Sequence, residues 1–591
     1  MDEASPLSLP AREHQASADM APRRLSKGQG IAMQIYRLRV LIILLLVSAS
    51  LLVRCQAGGT TDVTETITSP EQPTAGLSSA PLDTLRWSIE GDNDLISLDP
   101  TAPVNSASVT VIGFVFSGLI KLDEHLEVQP DGASSWEVSP DGTTYTFTIR
   151  ENLKFADGTP VTAHDFVYSI NRALKPETAS FGAPFHLGNI VGAQEVAEGK
   201  ARSVSGVRAL DDRTLEIRLK SPQAYFLSQL SFPYTFVVPR TLVESGDGWE
   251  ERAYGSGPFR VTEWQHGHSI TLEANEYYWR GSPGFDRVVI SFHEDSGVAY
   301  QRYLRGELDI MGSQQTPIPA VFVPDVQNRP DFKSSASLTT RYVGFNQKLP
   351  PFDDVRVRRA FALAVDKELL SAEVLSNTVI PAHRILPTGL LGTELPIRSL
   401  RFDVTAARAE LAAAGFPDGK GFPQVSIAYA TEGDNEIVAR TLQRFWSENL
   451  GVKVDLQPYD LEDFIRALDT TYFNPSEGLQ LYLSVWGADY PDPHNFLSQQ
   501  LRSGVPNNNG HFSNAEFDRL VDEADRLAKP DDVDRRLQLY NQAEQIAIDH
   551  VGWLPLYYPK FNTFLRHDIE GMVVTPIGIA VPDWTKARRK Q

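Results

Sequence analysis

Of 591 residues only one, Cys55, is a cysteine. With no second thiol, the chain can close no internal disulfide and build no thiolate metal cage. Its fold has to be held by packing, and its length allows two or more lobes with large cores. Also missing are the motifs of several common chemistries. There is no His-Glu-x-x-His zinc helix, no Gly-x-Ser-x-Gly nucleophile turn and no glycine loop that would cradle phosphate. Basic charge is scarce: 55 Lys and Arg stand against 75 Asp and Glu, a formal net charge of −20. That balance argues against nucleic acid and against polybasic attachment to a membrane surface.

What is present begins with a greasy run from Val40 to Val53, preceded by Arg37 and Arg39 and followed by Gln56-Ala57-Gly58-Gly59-Thr60-Thr61. A basic start, a short apolar stretch and a small-residue exit form a secretory signal, too short for a comfortable spanning helix. A lone cysteine at its exit resembles the lipid-modified first residue of a bacterial lipoprotein, which would be tethered to the cell membrane by acyl chains at Cys55. The residues before Met33 are polar and Pro/Ser-rich, unlike a signal, which points to Met33 as the true start. Leu52 and Val53 fit the lipobox pattern, whereas Arg54 stands where Gly, Ala or Ser is usual. An uncleaved anchor and cleavage elsewhere are the alternatives. Arg23-Arg24 lies too far from the apolar run for a twin-arginine signal. Residues 1–54 thus read as signal or anchor, and 55–81, rich in Thr, Ser, Pro and Gly, as a flexible tether.

Order is expected from about Leu82. Leu85, Trp87 and Ile89 alternate with polar residues, as in a half-buried strand. Pro140-Asp141-Gly142 is a turn before the alternating Tyr145, Phe147 and Ile149. Thr162 and Asp165 form a capping box ahead of Phe166, Ile170 and Leu174. Leu215, Ile217 and Leu219 mark a further strand, as do Ile270 and Leu272. Val357, Phe361, Val365 and Leu369 share a helical face; Ser513 to Glu516 reads as a capping box opening another helix, with Phe517, Leu520 and Ala524. Leu537, Tyr540 and Ile548 continue the pattern. Strands and helices interleave with no internal repeat, which favours α/β lobes on mixed sheets.

Seven blocks in order carry a family resemblance. They are Ser135-Trp136-Glu137-Val138-Ser139-Pro140-Asp141-Gly142 with Phe155-Ala156-Asp157-Gly158-Thr159-Pro160-Val161-Thr162; Gly255-Ser256-Gly257-Pro258-Phe259; Asn275-Glu276-Tyr277-Tyr278-Trp279; Phe352-Asp353-Asp354-Val355-Arg356; Val365-Asp366-Lys367; Trp486-Gly487-Ala488-Asp489-Tyr490-Pro491-Asp492-Pro493; and Trp553-Leu554-Pro555-Leu556-Tyr557. Over residues 82–570 the chain resembles family 5 extracellular solute-binding proteins, the receptors of ABC importers, and among them the oligopeptide binders. The resemblance implies a two-lobed periplasmic-binding-protein-like fold of the large class, with mixed sheets flanked by helices and a hinge between lobes. The expected lobe I core is 82–123, 239–340 and 565–591, its extra subdomain is 124–238, and lobe II is 341–564. It also implies an extended peptide gripped by its backbone and termini, with hydrated pockets for its side chains.

Under that resemblance Asp489 pairs with the ligand α-ammonium, since a buried ammonium needs a carboxylate partner. Its alternative role is to cap the turn before Pro491; Asp492, between two prolines, reads as the turn residue. Val485 to Gly487 form an extended edge for the peptide backbone, and Trp486 walls a side-chain pocket or sits in the core. Asn105 and Ser106 face the ligand from the opposing lobe. Basic residues that meet the peptide carboxylate in known members fall here at Asn435 and Leu483, neither charged; Arg440, Arg384 and Arg341 remain candidates, each with a structural alternative. His266-Gly267-His268 reads as a hydrated turn rather than a metal site, and Asp353-Asp354 and Asp531-Asp532 as helix starts rather than a glycosidase pair. No cofactor or metal is expected, and no enzymatic activity. The expected partners are an oligopeptide and the permease subunits of an ABC transporter, for a monomer outside the cytoplasm held to the membrane by its lipid. The alternatives are the same fold for a dipeptide, nickel complex, opine or oligosaccharide, or an extracytoplasmic hydrolase.

Overall fold

The structure is a computed structural model that describes residues 84–590, apart from 92, 103–105, 181, 247, 294, 313–317 and 319–321. Cys55 and Asn105 lie outside the described residues.

The molecule is two-lobed and α/β. One continuous mixed sheet of twelve strands runs through both lobes. In spatial order its path is Val454–Tyr459, Val425–Ala430, Leu481–Gly487, Thr339–Phe345, Trp553–Leu565, Ile310–Met311, Thr84–Glu90, Arg287–His293, Ser269–Ala274 and Phe259–Gln265. The 13-residue strand Trp553–Leu565 is the member common to both lobes. Its first half pairs with Thr339–Phe345 and Val379–Pro381, its second half with Ile310–Met311 and Phe332–Ala336. Two backbone crossings therefore join the lobes: this strand, and the passage from Phe332–Ala336 to Thr339–Phe345.

Among the described residues the apolar patterning builds several buried cores, four of them large. Leu85, Val111, Phe259, Ile290 and Trp584 belong to one. Phe147, Phe166, Ile170 and Leu215 belong to another, beneath the separate four-stranded sheet of Ala133–Val138, Thr144–Ile149, Thr214–Arg218 and Val207–Ala209. On the far half of the main sheet, Phe361, Ile427, Trp446 and Leu481 pack on one face, and Tyr482, Phe517, Tyr540 and Trp553 on the other.

Three local readings change. Thr84–Glu90 is not half-buried: flanked on both edges, it is covered on both faces, and Arg86 is drawn in by Asp309 at 2.7 Å. The helix bearing Val357 and Phe361 stops at Leu363; Asp366 caps a new short segment, so Val365 and Leu369 are not on its face. The later helix is Ala515–Asp525, and its cap is Asn514 rather than Ser513, accepting from the N–H groups of Glu516 and Phe517. The box at Thr162 and Asp165 is present. Among the described residues no helix is long and apolar enough to cross a membrane.

Candidate functional site

The strand Leu481–Gly487 is paired along its whole length on one side, where Arg341 faces Val485, Thr340 faces Trp486 and Thr339 faces Gly487. On the other side its parallel pairing with Val425–Ala430 covers only Leu481 and Tyr482. Among the described residues, the stretch from Ser484 to Gly487 thus has one edge without a strand partner, and Val485 is 42% exposed there. Such an edge can accept an extended chain by main-chain hydrogen bonds.

At the end of that edge the backbone turns through Asp489. Asn495, fully buried in the short helical turn Pro493–Asn495, organises the segment. Its side-chain oxygen accepts from the Trp486 indole N–H at 3.0 Å and from the Asp489 backbone N–H at 3.2 Å. Its amide donates to Gln499 at 2.8 Å and weakly to the Asp489 carboxylate at 3.4 Å. Trp486 is therefore half-buried and fixed, packed beside the Tyr482 and Trp553 core. Asp492 does cap the turn, accepting from the His494 N–H at 3.0 Å, and in addition forms a buried ion pair with Arg536.

Across from Asp489 stands the four-stranded subdomain. His186, in the short helix Ala183–Leu187, places its Nε2 at 3.7 Å from the Asp489 carboxylate. His186 stacks on Phe232, with centroids 5.1 Å apart, and lies 4.9 Å from Tyr234 and 6.0 Å from Tyr490. Burial pulls His186 down to about 4, so the ring is neutral at physiological pH. Its Nδ1 is buried with no hydrogen-bond partner. Among the described residues Asp489 consequently has no charged cation beside it. Its side chain is 29% accessible, yet desolvation pushes the carboxyl up to about 6, with the Asn495 amide only partly offsetting this. A carboxylate ringed by aromatic faces is suited to an ammonium.

The subdomain and the Asp489 segment also touch directly. Tyr225 stacks on His494 with centroids 3.4 Å apart, and the Ala224 N–H donates to the Asp525 carbonyl at 3.2 Å.

The basic candidates separate clearly. Arg384 is buried against Glu544 and the carbonyls of Thr393 and Leu395. Arg440 makes an exposed i,i+4 pair with Glu436. Both are structural. Leu483 points into the core, while Arg341 donates to Asn435 at 2.8 Å. Ser106 begins the helix Ser106–Val115. The His266 ring bridges Asp94 and Glu251 at a turn whose Gly267 has φ 72°. His186, Tyr234 and Asn495 were not anticipated. They lie in short, aperiodic segments, and only proximity in the fold marks them.

Residues 127–508 match the family described as bacterial extracellular solute-binding proteins, family 5. The dipeptide-binding protein DppE of Bacillus subtilis is 30% identical over 510 residues, 84% of this chain and 91% of its own. The periplasmic oligopeptide-binding protein OppA of Salmonella typhimurium is 32% identical over 477 residues, covering 79% and 86%. The structure of the Escherichia coli murein tripeptide binding protein MppA aligns with TM-score 0.70 and 29% identity, over 87% of this chain and 99% of that one. The solved relative shares the fold described above, and all three are named for what they bind rather than for a reaction. The chain belongs to family 5 of the bacterial extracellular solute-binding proteins, a family of binding proteins rather than enzymes.

Proposed function

We propose that this chain captures short peptides between its lobes and hands them to the permease of an ABC importer, while tethered outside the cytoplasm through Cys55. In this reading the peptide lies along the open edge from Ser484 to Gly487, and Asp489 takes its α-ammonium. Trp486 walls a side-chain pocket, and the segment at Asn105 and Ser106 faces the peptide from the other lobe. The lobes divide at 82–123, 239–340 and 565–591 for lobe I, 124–238 for its subdomain, and 341–564 for lobe II. Relatives named for dipeptides, oligopeptides and murein peptides support a peptide ligand.

The observation that carries the reading is the cation-free, desolvated Asp489 carboxylate beside neutral His186 and at the end of an unpaired strand edge. A second relative, named as a probable deoxycholate-binding protein at 31% identity, provides the contrast. An anionic steroid has no use for a carboxylate at this point.

The test is a double-mutant cycle by calorimetry, with Asp489→Asn in the protein and N-acetylation in trialanine. Removing one partner of a desolvated ion pair costs about 2–5 kcal/mol, a fall in affinity of roughly 30-fold or more. The two losses are expected not to add, since each removes the same interaction. Additive losses would put the amino terminus elsewhere, and no loss from either would mean that the ligand is not a free peptide.

A further inference from the structure

The strand Thr84–Glu90 runs parallel to Arg287–His293 on one side and to Ile310–Met311 on the other. Ile89, near its end, and Gly312, just past Ile310–Met311, border a cavity of about 280 Å³. The cavity thus opens at the carboxyl ends of parallel strands, the place where open α/β sheets take their ligands. One part of its wall is a set of interlocked rings. Phe114, from the helix Ser106–Val115, lies 5.5 Å from Trp87 and 5.1 Å from Trp584 between ring centroids, and all three are buried. A second part is the hairpin of Val573–Thr575 and Gly578–Ala580, which supplies Ile577 and Ile579. Among the described residues no ionisable side chain lines the cavity, and Thr110 is the one polar side chain besides the two indoles. The hairpin is tied to the peptide edge. The Leu338 N–H donates to the Pro576 carbonyl at 3.1 Å, and the Leu338 carbonyl accepts from the Ala488 N–H at 2.9 Å. The cavity therefore lies beside the end of that edge at which Asp489 stands. Gly113, inside the helix, leaves the space open: a Cβ there would meet nothing within 4 Å.

We infer that this cavity receives a large apolar side chain, aromatic or branched, from the amino-terminal part of the ligand, and that the chain selects peptides carrying one. This rests on the peptide reading and gives it a substrate class. A hydrated pocket tolerates any side chain, because its water adapts to each. A cavity walled by rings and branched aliphatics, with no charge to hold water, has no such tolerance. An apolar cavity of about 150 Å³ stays dry and takes benzene. The space here is larger, enough for a phenyl or an indole. Its ring wall is already fixed by mutual packing, so filling it orders little of the protein. The pocket assigned to Trp486 stands on the other lobe and is separate from this one.

Calorimetry on trialanine, Phe-Ala-Ala, Ala-Phe-Ala and Ala-Ala-Phe, against wild type, Gly113→Ala and Gly113→Leu, tests this. In wild type, phenylalanine at the first or second position tightens binding at least tenfold over trialanine, as burial of a large apolar side chain should. At the third position it changes affinity less than threefold. Gly113→Leu places a side chain in the cavity, so the gain from phenylalanine falls below threefold while trialanine stays within twofold of wild type. Gly113→Ala fills too little space to matter and keeps the gain. Leucine and alanine both suit a helix interior better than glycine, so neither variant should melt below wild type. Equal affinity of wild type for all four peptides would overturn the inference. So would a gain that survives Gly113→Leu, which would belong to the Trp486 pocket. A loss shared by all four peptides and by both variants would also overturn it, making Gly113 a structural residue. Each of these is distinct from failure of the peptide reading, because the coupling between Asp489→Asn and N-acetylation is measured separately.

Discussion

Asp489 loses hydration without gaining a cation, so under the proposed reading peptide binding depends on pH. Its carboxyl sits at about 6 in the unliganded protein, against 3.8 for an exposed aspartate. An α-ammonium, with a pKa of about 7.7–8.0, stays charged through that range. Affinity for trialanine is therefore expected to rise by about tenfold between pH 5 and pH 7, as the carboxyl releases its proton. Isothermal titrations at the two values should show a flat profile in Asp489→Asn; a slope that survives the substitution would assign it to another group. The sign for stability is opposite. Between about pH 4 and 6 the folded state keeps a proton that the unfolded chain has released, so unliganded stability falls as pH rises across that window. Lys367 shows the same cost for a base. It is fully buried, its Nζ donates to the Ala382 carbonyl at 2.8 Å, and burial drops it to about 7. From about pH 7 up to about 10.5 the unfolded chain holds the extra proton, so stability rises with pH. Lys367→Met should raise the melting temperature at pH 7 and flatten that rise.

The strand Leu481–Gly487 owes its position to a close backbone approach. Gly344 in Thr339–Phe345 faces Tyr482, and a Cβ there would come within 2.1 Å of the tyrosine ring. Tyr482 is fully buried and has nowhere to move, so Gly344→Ala is expected to cost about 1–3 kcal/mol in denaturant unfolding and to weaken ligand binding by tilting the edge. A variant as stable as wild type would show that the ring is free to shift. Elements with regular periodicity were legible in the sequence: Thr144–Ile149, Ser269–Ala274 and Val533–Asp549 are where alternation or helical spacing puts them. Polar and short segments were less so. The alternation in Thr84–Glu90 hides the fact that Asp309, more than 200 residues away, neutralises Arg86 and allows both faces to be covered. The Asp489 motif was visible as a string of residues, but the ring of His186, Phe232 and Tyr234 comes from short segments with no repeat, so only the fold brings it into view.

At the scale of the whole molecule, the lobes are joined covalently through Trp553–Leu565 and the 336–339 passage, and non-covalently where the subdomain meets the Asp489 segment. The second connection includes the ring of Tyr225 against His494 and Tyr490, a backbone hydrogen bond from Ala224, a long contact of 3.4 Å from Gln229 to the Tyr490 hydroxyl, the approach of His186 to Asp489 at 3.7 Å, and Leu126 packed on the far core. An aromatic pair and a hydrogen bond are each worth about 0.5–1.5 kcal/mol, so a connection built of a few such contacts is modest. It can therefore bias the opening of the hinge but not fix it, and a ligand bridging the lobes adds to the same side of the balance. Tyr225→Ala should shift the unliganded protein toward a more open form, with a larger radius of gyration in X-ray scattering than wild type. Saturating trialanine should return both proteins to the same compact value. It should also raise the melting temperature of each, since ligand at 100 times Kd adds about 2.7 kcal/mol to the native state. Affinity should be lower in the variant by the fraction of molecules that must first close. Scattering curves that coincide for variant and wild type, with and without peptide, would mean that the lobes do not move. The Tyr225 stack would then be ordinary packing, and the cleft would bind as a rigid groove.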